Sequence, residues 1–208
     1  FTLHPSSTVA GAPITPAVQV AVRDALGNPV KTFTGNVTLA IGANPGGGTL
    51  TGTDTVAAVA GVATFSDVSI DRAGVGYRLE ATGSGLSSAT SNAFTITAGP
   101  ATQLLFAVQP TTTTAGATIA PAVRVTAQDA LGNTADSFTD SVTLAITAGS
   151  GTTGATLSGT ATVAGVAGEI SRHGPAGEAL HRGRRHLPGE SGVVFHSACA
   201  GGSVVAVP

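Results

Sequence analysis

The chain has 208 residues, of which 42% are hydrophobic and 10% charged, and its net charge is −2. This length allows one or two modest cores, and the composition excludes a disordered, charge-rich polymer. A nearly neutral chain with mostly scattered Lys and Arg residues offers no general attraction for nucleic acid. No run of about 18 apolar residues is present. We therefore predict neither a nucleic-acid partner nor a membrane contact for these residues.

Short segments of alternating apolar and polar residues recur through the first half of the chain. Such period-two alternation, interrupted by turn residues, predicts β-strands. In chain order, the predicted strands lie within Ala17–Asp24, Asn36–Gly42, Gly61–Ile70, Gly76–Gly83 and Asn92–Gly99. No segment has a sustained helical period, so the predicted fold class is all-β, with short strands packed as a sandwich.

The first predicted strand ends in the segment Asp24-Ala25-Leu26-Gly27-Asn28. Gly27 can adopt a positive φ, and the Asp24 carboxylate can accept hydrogen bonds from main-chain amides of its own turn. The segment therefore predicts a hairpin-type turn in which Asp24, Gly27 and Asn28 are structural residues.

The only tyrosine of the chain, Tyr77, opens a late predicted strand. Its position resembles the tyrosine corner of sandwich domains, in which the ring packs into the core and the hydroxyl bonds a nearby main-chain group. We predict this structural role for Tyr77 in preference to the stacking of a ligand on its ring.

The segment from Ala10 to Asn28 returns in closely similar form from Ala115 to Asn133, at a period of 105 residues. This period corresponds to one complete small β-domain and is too long for a solenoid unit. We therefore predict two tandem sandwiches with a short, semi-rigid junction at Ala98–Thr102. The second copy of the turn comprises Asp129, Gly132 and Asn133.

Both copies carry a valine-rich strand and the segment D-A-L-G-N, and the first continues with G-V-A-T-F. This pattern resembles the bacterial immunoglobulin-like repeats of invasin- and intimin-type adhesins and of secreted multidomain proteins. In the first copy it is carried by Val18, Val20, Asp24, Ala25, Gly27, Asn28, Gly61, Val62, Ala63, Thr64 and Phe65. The resemblance covers the first copy and, in the second, residues from Gln103 to Ala167. It implies an immunoglobulin-like sandwich and a bacterial surface or extracellular location.

The second copy stops resembling the first after Ala167, where four of the five His residues, half of the Arg residues and the single Cys follow. This abrupt change of composition predicts a change of reading frame. The predicted domains are therefore a complete sandwich at 1–98, the first part of a second sandwich at 99–167 and an aberrant, poorly ordered tail at 168–208. We expect Gly168–Ser191 to be irregular and the second sandwich to have uncovered strand edges. The stretches Gly192–Ala198 and Gly202–Pro208 could form substitute strands by chance.

The tail contains residue types that suit zinc and anions, but we interpret them as products of the changed frame. The candidate zinc ligands are His181, His186, His196 and Cys199, and the basic cluster is Arg182, Arg184 and Arg185. Structural zinc sites place their ligands on defined turns, and nucleic-acid modules combine basic residues with aromatic ones. We therefore predict no metal, no cofactor and no nucleic-acid site.

The other candidate sites of the first copy also favour structural roles. Asp24 is predicted to cap its turn and Asp71 to pair with Arg72 on the surface, with a calcium site at the domain junction as the alternative. The loop at Gly46-Gly47-Gly48 lacks the Lys and helix of a phosphate cradle. Asn36-Val37-Thr38 matches a glycosylation acceptor. His4 is the only His of the first copy, which has no Cys, so no catalytic triad can be assembled there and no enzyme is predicted.

These observations predict a non-catalytic stalk or spacer module of a large bacterial surface or secreted protein. Because Phe1–Leu3, like Leu104–Phe106, reads as the middle of a strand, we expect the chain to be a fragment whose partners are neighbouring repeats. Host-cell, cell-wall or glycan ligands would be bound through other domains. The alternatives are a ligand- or carbohydrate-binding module that uses the loop Ala43–Asp54, and an accessory domain of a secreted hydrolase.

Overall fold

The structure is a computed structural model that describes residues 1–147, 155–159, 161–171 and 204–207. The described residues form strands, turns and bends but no helix, which confirms the all-β prediction. None of them forms a helix with the length and apolarity needed to cross a membrane. The chain divides into two compact units, Phe1–Gly99 and Pro100–Pro208.

The first unit is built from ten strands. They are β1 (Thr8–Val9), β2 (Val18–Ala21), β3 (Asn36–Ala43), β4 (Leu50–Thr51), β5 (Thr55–Ala57), β6 (Val62–Phe65), β7 (Ser69–Ile70), β8 (Gly74–Gly83), β9 (Ala89–Thr90) and β10 (Phe94–Thr97). In the described part of the second unit they are β11 (Gln103–Val108), β12 (Arg124–Gln128), β13 (Ser141–Ile146), β14 (Thr162–Ala164), β15 (Glu169–Ser171) and β16 (Val204–Val207).

Strand β8 is the centre of the larger sheet of the first unit. It pairs antiparallel with β3 and β10 and with the short strand β9. Strand β5 extends this sheet beyond β3, and β1 runs parallel to β10 at the other side. The second layer contains the antiparallel pair of β2 and β6, while β4 and β7 form a separate short ladder.

Alternate side chains of the two layers meet in a single core. Val18 and Val20 of β2 and Phe65 of β6 share one buried cluster with Leu39 of β3 and Leu79 of β8. The intervening residues of these strands are at least partly exposed, as expected when one face of a sheet is buried. Each fully buried Val or Leu side chain contributes about 1.5–3 kcal/mol relative to an exposed one, so this cluster is the main stabilising feature of the unit.

The two layers are connected at the turn between β5 and β6. Ala60 and Gly61 have φ values of 50° and 77°, and Val59 and Val62 pair across the turn. Gly61 N–H donates to Phe33 O at 3.2 Å, and Gly61 O accepts from Val22 N–H at 2.9 Å. A Cβ atom on Gly61 would lie 2.4 Å from Val30 O. The turn therefore holds the end of β2 and the following loop together, and the close approach of main chain to main chain requires glycine.

The second unit repeats this framework. Strand β12 pairs with β11 and β15, and β13 pairs with β14. Ala167 and Gly168, with φ values of 48° and 71°, occupy the places of Ala60 and Gly61. Gly168 O accepts from Ala127 N–H at 2.8 Å, and a Cβ on Gly168 would lie 2.7 Å from Ala135 O. The two copies thus share the same crossing between layers.

The segment Gly61–Ile70, within which one strand is predicted, contains two. Strand β6 ends at Phe65 and β7 begins at Ser69, and these two strands have different partners, β2 and β4. Between them Val68 is fully buried, and its main-chain oxygen accepts from Ile14 N–H at 2.9 Å. The chain therefore leaves one ladder for the other because an apolar side chain is buried at the crossing.

The prediction that Gly168–Ser191 is irregular is wrong for its first residues. Gly168 completes the turn, and Glu169–Ser171 form β15 against β12. Ile170 pairs with Val125, as Ala63 pairs with Val20 in the first unit, and Ile170 is buried in the second core. The alternation of Glu169, Ile170 and Ser171 happens to keep an apolar residue on the core face, which is sufficient for a short strand.

The expectation of uncovered strand edges is wrong for β13, because β16 pairs with it along Thr143–Ile146. Thr143 lies opposite Val207, just as Thr38 of β3 lies opposite Thr82 of β8. The end of the tail thus takes the position that β8 occupies in the first unit, in the same register. The other predicted substitute strand, Gly192–Ala198, lies outside the described residues.

Deleting Val204–Pro208 tests whether β16 closes this sheet. Ala145 lies opposite Val205, whereas Leu144 N–H already donates to Ala161 O at 2.8 Å on the other side of β13. Main-chain groups of successive strand residues point to opposite edges, so the deletion should speed hydrogen exchange at Ala145 N–H about tenfold and leave Leu144 N–H largely unchanged. Exchange measured by NMR that stays equal at Ala145 in the two chains would contradict the assignment of β16.

Candidate functional site

The carboxylate of Asp24, in the turn after β2, accepts three hydrogen bonds from its own turn. Its Oδ1 accepts from Leu26 N–H at 2.9 Å and from Asn28 N–H at 2.8 Å, and its Oδ2 accepts from Asn28 Nδ2 at 3.1 Å. Gly27, with a φ of 86°, donates its N–H to Asp24 O at 3.0 Å. The carboxylate oxygens are thus directed at the turn's own donors.

The same turn is present in the second unit. Asp129 Oδ1 accepts from Leu131 N–H at 2.9 Å and from Asn133 N–H at 2.8 Å, and Oδ2 accepts from Asn133 Nδ2 at 3.0 Å. Gly132 has a φ of 80°. The two turns differ in exposure, since Asp129 and Asn133 are buried whereas Asp24 and Asn28 are exposed.

The hydrogen bonds of the first turn lower the pKa of Asp24, the largest effect coming from the Asn28 side chain and the next from the Asn28 main chain. Because the folded-state pKa lies below the ordinary value, the turn's contribution to stability is present at neutral pH and is lost as the pH falls through the folded-state pKa. A carboxylate with a lowered pKa and with its oxygens already accepting hydrogen bonds is a poor general base.

Tyr77 lies in the core, where its ring is fully buried and contacts Phe94 with centroids 6.0 Å apart. Its hydroxyl donates to Arg72 O at 3.0 Å. Burial, and secondarily the negative charge of Asp71, raises the pKa of Tyr77, although main-chain donors at Gly48 and Gly46 oppose the shift. The phenol therefore remains protonated at neutral pH and acts as a donor to the main chain.

The glycine-rich loop after β3 packs directly against this hydroxyl. A Cβ on Gly46 would lie 2.4 Å from the Tyr77 hydroxyl oxygen, and one on Gly48 would lie 2.9 Å from it. The Asn44 side chain closes the loop by donating to Gly48 O and accepting from Gly48 N–H, both at 2.8 Å. The glycines therefore allow a close approach to Tyr77, and the amide of Gly48 is bonded within the loop.

Two further carboxylates bind main-chain amides of neighbouring segments. Asp67 Oδ1 accepts from Thr53 N–H at 3.1 Å and Oδ2 from Thr53 Oγ1 at 2.8 Å, and these bonds, the side-chain one first, lower the pKa of Asp67. Asp71 Oδ1 accepts from Thr49 N–H at 2.6 Å. The surface pair of Asp71 with Arg72 stays a prediction. These contacts hold the segment around β4 to the turns on either side of β7.

No group of three or more His, Cys, Asp or Glu side chains that could hold a metal ion occurs among the described residues. His4 Nδ1 accepts from Asn92 N–H at 3.0 Å, and its ring stacks on Phe1. Asn36, of the glycosylation match, is the exposed first residue of β3. The candidate zinc ligands and the basic cluster all lie outside the described residues, namely His181, His186, His196 and Cys199, and Arg182, Arg184 and Arg185.

Some polar residues with structural contacts were not identified from the sequence. Ser91 is buried, and its Oγ accepts from Leu79 N–H at 2.9 Å and donates to Asn92 O at 2.8 Å. The hydroxyls of Thr38 and Thr55 lie 3.0 Å apart across β3 and β5. For the threonines the sequence does contain a signal, because threonine occurs at both equivalent positions of the second copy. There the hydroxyls of Thr143 and Thr162 form the same pair, 2.8 Å apart.

No family model and no curated protein matches the chain. Among solved structures it is similar to FdeC, an Escherichia coli adhesin, at 17% identity and a TM-score of 0.38, covering 78% of this chain and 54% of that one. It is also similar to domains 4–9 of the surface layer protein SbsC, at 18% identity and a TM-score of 0.31, covering 93% and 30%. The chain thus spans about half of the adhesin and less than a third of the surface-layer structure. Both TM-scores lie below 0.5, so the fold assignment rests on the strands and registers above.

Replacing Tyr77 by Phe tests the role of its hydroxyl. The change keeps the buried ring but removes the donor to Arg72 O, and loss of a buried hydrogen bond of this kind costs about 1 kcal/mol. We expect Tyr77→Phe to lower the free energy of unfolding in urea, followed by circular dichroism, by about that amount. Thr82→Val, at an exposed position of the same strand, is the matched control and should change it by less than about 0.5 kcal/mol. Equal stability of Tyr77→Phe and the unaltered chain would exclude the role.

Proposed function

We propose that this chain is a non-catalytic structural or adhesive repeat module, a stalk or spacer, of a large bacterial cell-surface or secreted protein. Its direct partners are the neighbouring immunoglobulin-like repeats of the same parent chain. Contact with host cells, cell wall or glycans belongs to other domains of that protein. In this proposal, repetition itself is the mechanism, because each copy adds one folded domain to the span of the parent protein.

The observation that carries the proposal is that the described parts of the two units share a set of structural contacts. Both have the carboxylate-capped turn, the paired threonine hydroxyls and the glycine at the crossing between layers. The positive charge of Arg23, which lies next to this turn, is not kept, since Gln128 stands at the same place in the second copy. A repeated framework with varied surface charge is typical of a module selected for its fold.

The loop Ala43–Asp54 gives less support to the alternative of a carbohydrate- or ligand-binding module. Several of its polar groups are bonded to the unit's own residues: the Asn44 side chain to Gly48, and the amides of Thr49 and Thr53 to carboxylates. A binding site needs polar groups that converge on open space. The third alternative, an accessory domain of a secreted hydrolase, uses the same spacer function in a different parent chain.

In this proposal the tail, with its His, Arg and Cys residues, is the product of a change of reading frame in the second copy. Gly168 takes the place of Gly61 at the crossing between layers, so the match between the copies extends one residue beyond Ala167. The His, Arg and Cys residues that follow are then not part of the functional surface of the parent protein.

An array of copies of residues 1–99 tests the spacer function, because the core of this unit is made of its own residues. Arrays of two, four and six copies, joined by Pro100–Leu105 so that each new Phe1 follows Leu105 as Phe106 does, should increase in maximum dimension by a constant increment per copy in small-angle X-ray scattering. Matched arrays with a long Gly/Ser linker at each junction should grow more slowly, roughly with the square root of the copy number.

Two results would contradict the spacer function. One is an array with the natural junction whose maximum dimension does not grow in proportion to copy number. The other is saturable binding of a glycan by the single unit in a glycan array, provided that substitutions within Ala43–Asp54 abolish it.

A further inference from the structure

Strand β11 forms one edge of a sheet in the second unit. Within the described residues it pairs with β12 alone, and Leu105 lies opposite Thr126. The next residue of β12, Ala127, donates its N–H to Gly168 O at 2.8 Å, on the side of β15. Successive strand residues present their main-chain groups to opposite edges, so Thr126 and Leu105 present theirs to each other. The main chain of Leu105 is therefore directed at β12.

The neighbours of Leu105 have the opposite orientation. By the same alternation, the N–H and C=O groups of Leu104 and Phe106 point to the outer edge of β11, away from β12. The side chains of these two residues pack against the second core, whereas that of Leu105 faces outward and is 52% exposed. The outer edge of β11 thus presents main-chain donors and acceptors on both sides of one exposed leucine.

This edge lacks most of the features that prevent strand pairing. No charged residue occurs in the sequence between Glu80 and Arg124, and Arg124 itself forms an ion pair with Glu169. Strand β11 has six residues and contains no proline. By contrast, the edge strand β5 of the first unit has three residues and directly follows Asp54. Because charges, proline and shortness are what protects natural sheet edges, β11 is the edge best suited to accept another strand.

We propose that β11 pairs antiparallel with β11 of a second copy of this chain, about a two-fold axis at Leu105. In this register Leu104 of one copy lies opposite Phe106 of the other, and each bonds its partner through both N–H and C=O. The two Leu105 side chains lie directly across from each other and cover the leucine that a single copy exposes. The register shift between Phe106 and Val108 confines the ladder to this central part of the strand.

A second copy matches this edge better than a charged partner does. An uncharged edge offers nothing to attract an acidic or basic segment, whereas two identical neutral edges approach without repulsion. The same patch then serves both copies, as a two-fold contact requires. The contact is much smaller than the roughly 1,200–2,000 Å² of a stable interface, so the pairing is weak and reversible. It goes beyond the spacer function, which needs no contact between separate chains.

Cross-linking tests the register in the complete chain carrying Cys199→Ser, which removes the only cysteine. Leu105→Cys places the two thiols at the axis with Cα atoms about 4.5 Å apart, within disulfide range. Gln103→Cys, exposed on the same face, is the matched control, because its counterpart would lie about 14 Å away. Under mild oxidation Leu105→Cys should form a disulfide-linked dimer at least about tenfold faster than Gln103→Cys. Equal rates would overturn the proposal.

Sedimentation tests the association itself, with the unaltered chain at concentrations up to about 1 mM, where a weak pair is populated. A reversible equilibrium between monomer and dimer is expected. Leu105→Lys places two positive charges opposite each other and should raise the dissociation constant at least about tenfold. Val75→Lys, at a position 78% exposed in the first unit, adds the same charge and should leave it unchanged. Circular dichroism checks that both variants keep their strands. A chain that stays monomeric, or a dimer that Leu105→Lys does not weaken, would contradict the pairing.

Discussion

The rest of each unit depends on the close approach of main chain to main chain at the crossing between its two layers. In the first unit this crossing is Ala60–Gly61, where the turn leads from the sheet of β3 to the strand that pairs with β2. Gly61 bonds both Val22 and Phe33 through its main chain, so one residue sets the register of β6 and fixes the loop after β2. Once that register is set, Ala63 and Phe65 face the core, and a shift by one residue would turn them outward.

The second unit shows how much of the fold follows from this crossing. Its sequence departs from the repeat just after Gly168, yet Glu169–Ser171 still pair with β12 and place Ile170 in the core. The turn has already positioned the strand, and the strand needs only one apolar residue on the inner face. Strand β16 then pairs with β13 in the register that β8 has with β3. A short strand is thus undemanding in sequence when its partner and its entry point are fixed.

The all-β class was predicted from the sequence. The turn from Asp24 to Asn28 was also predictable, because these five residues contain the donors and acceptors of their own hydrogen bonds. Tyr77 could be placed because a lone tyrosine at the start of a late strand is a recognisable feature of sandwiches. The crossing was missed, although V-A-G precedes β6 and β15 alike, because Ala-Gly is common and its partner, Val30 O, lies far away in sequence. The break between β6 and β7 was missed for the same reason, since it depends on a contact between Ile14 and Val68.

The most direct test of this account compares Gly61→Ala with Gly27→Ala. Both positions have positive φ, but an added Cβ meets nothing within 4 Å at Gly27 and lies 2.4 Å from Val30 O at Gly61. Gly27→Ala should therefore cost about 1 kcal/mol of unfolding free energy, for the backbone conformation alone. Gly61→Ala should cost at least about 2 kcal/mol more, because main-chain atoms at the crossing must separate. Equal losses in denaturant unfolding would show that the crossing does not hold the layers together.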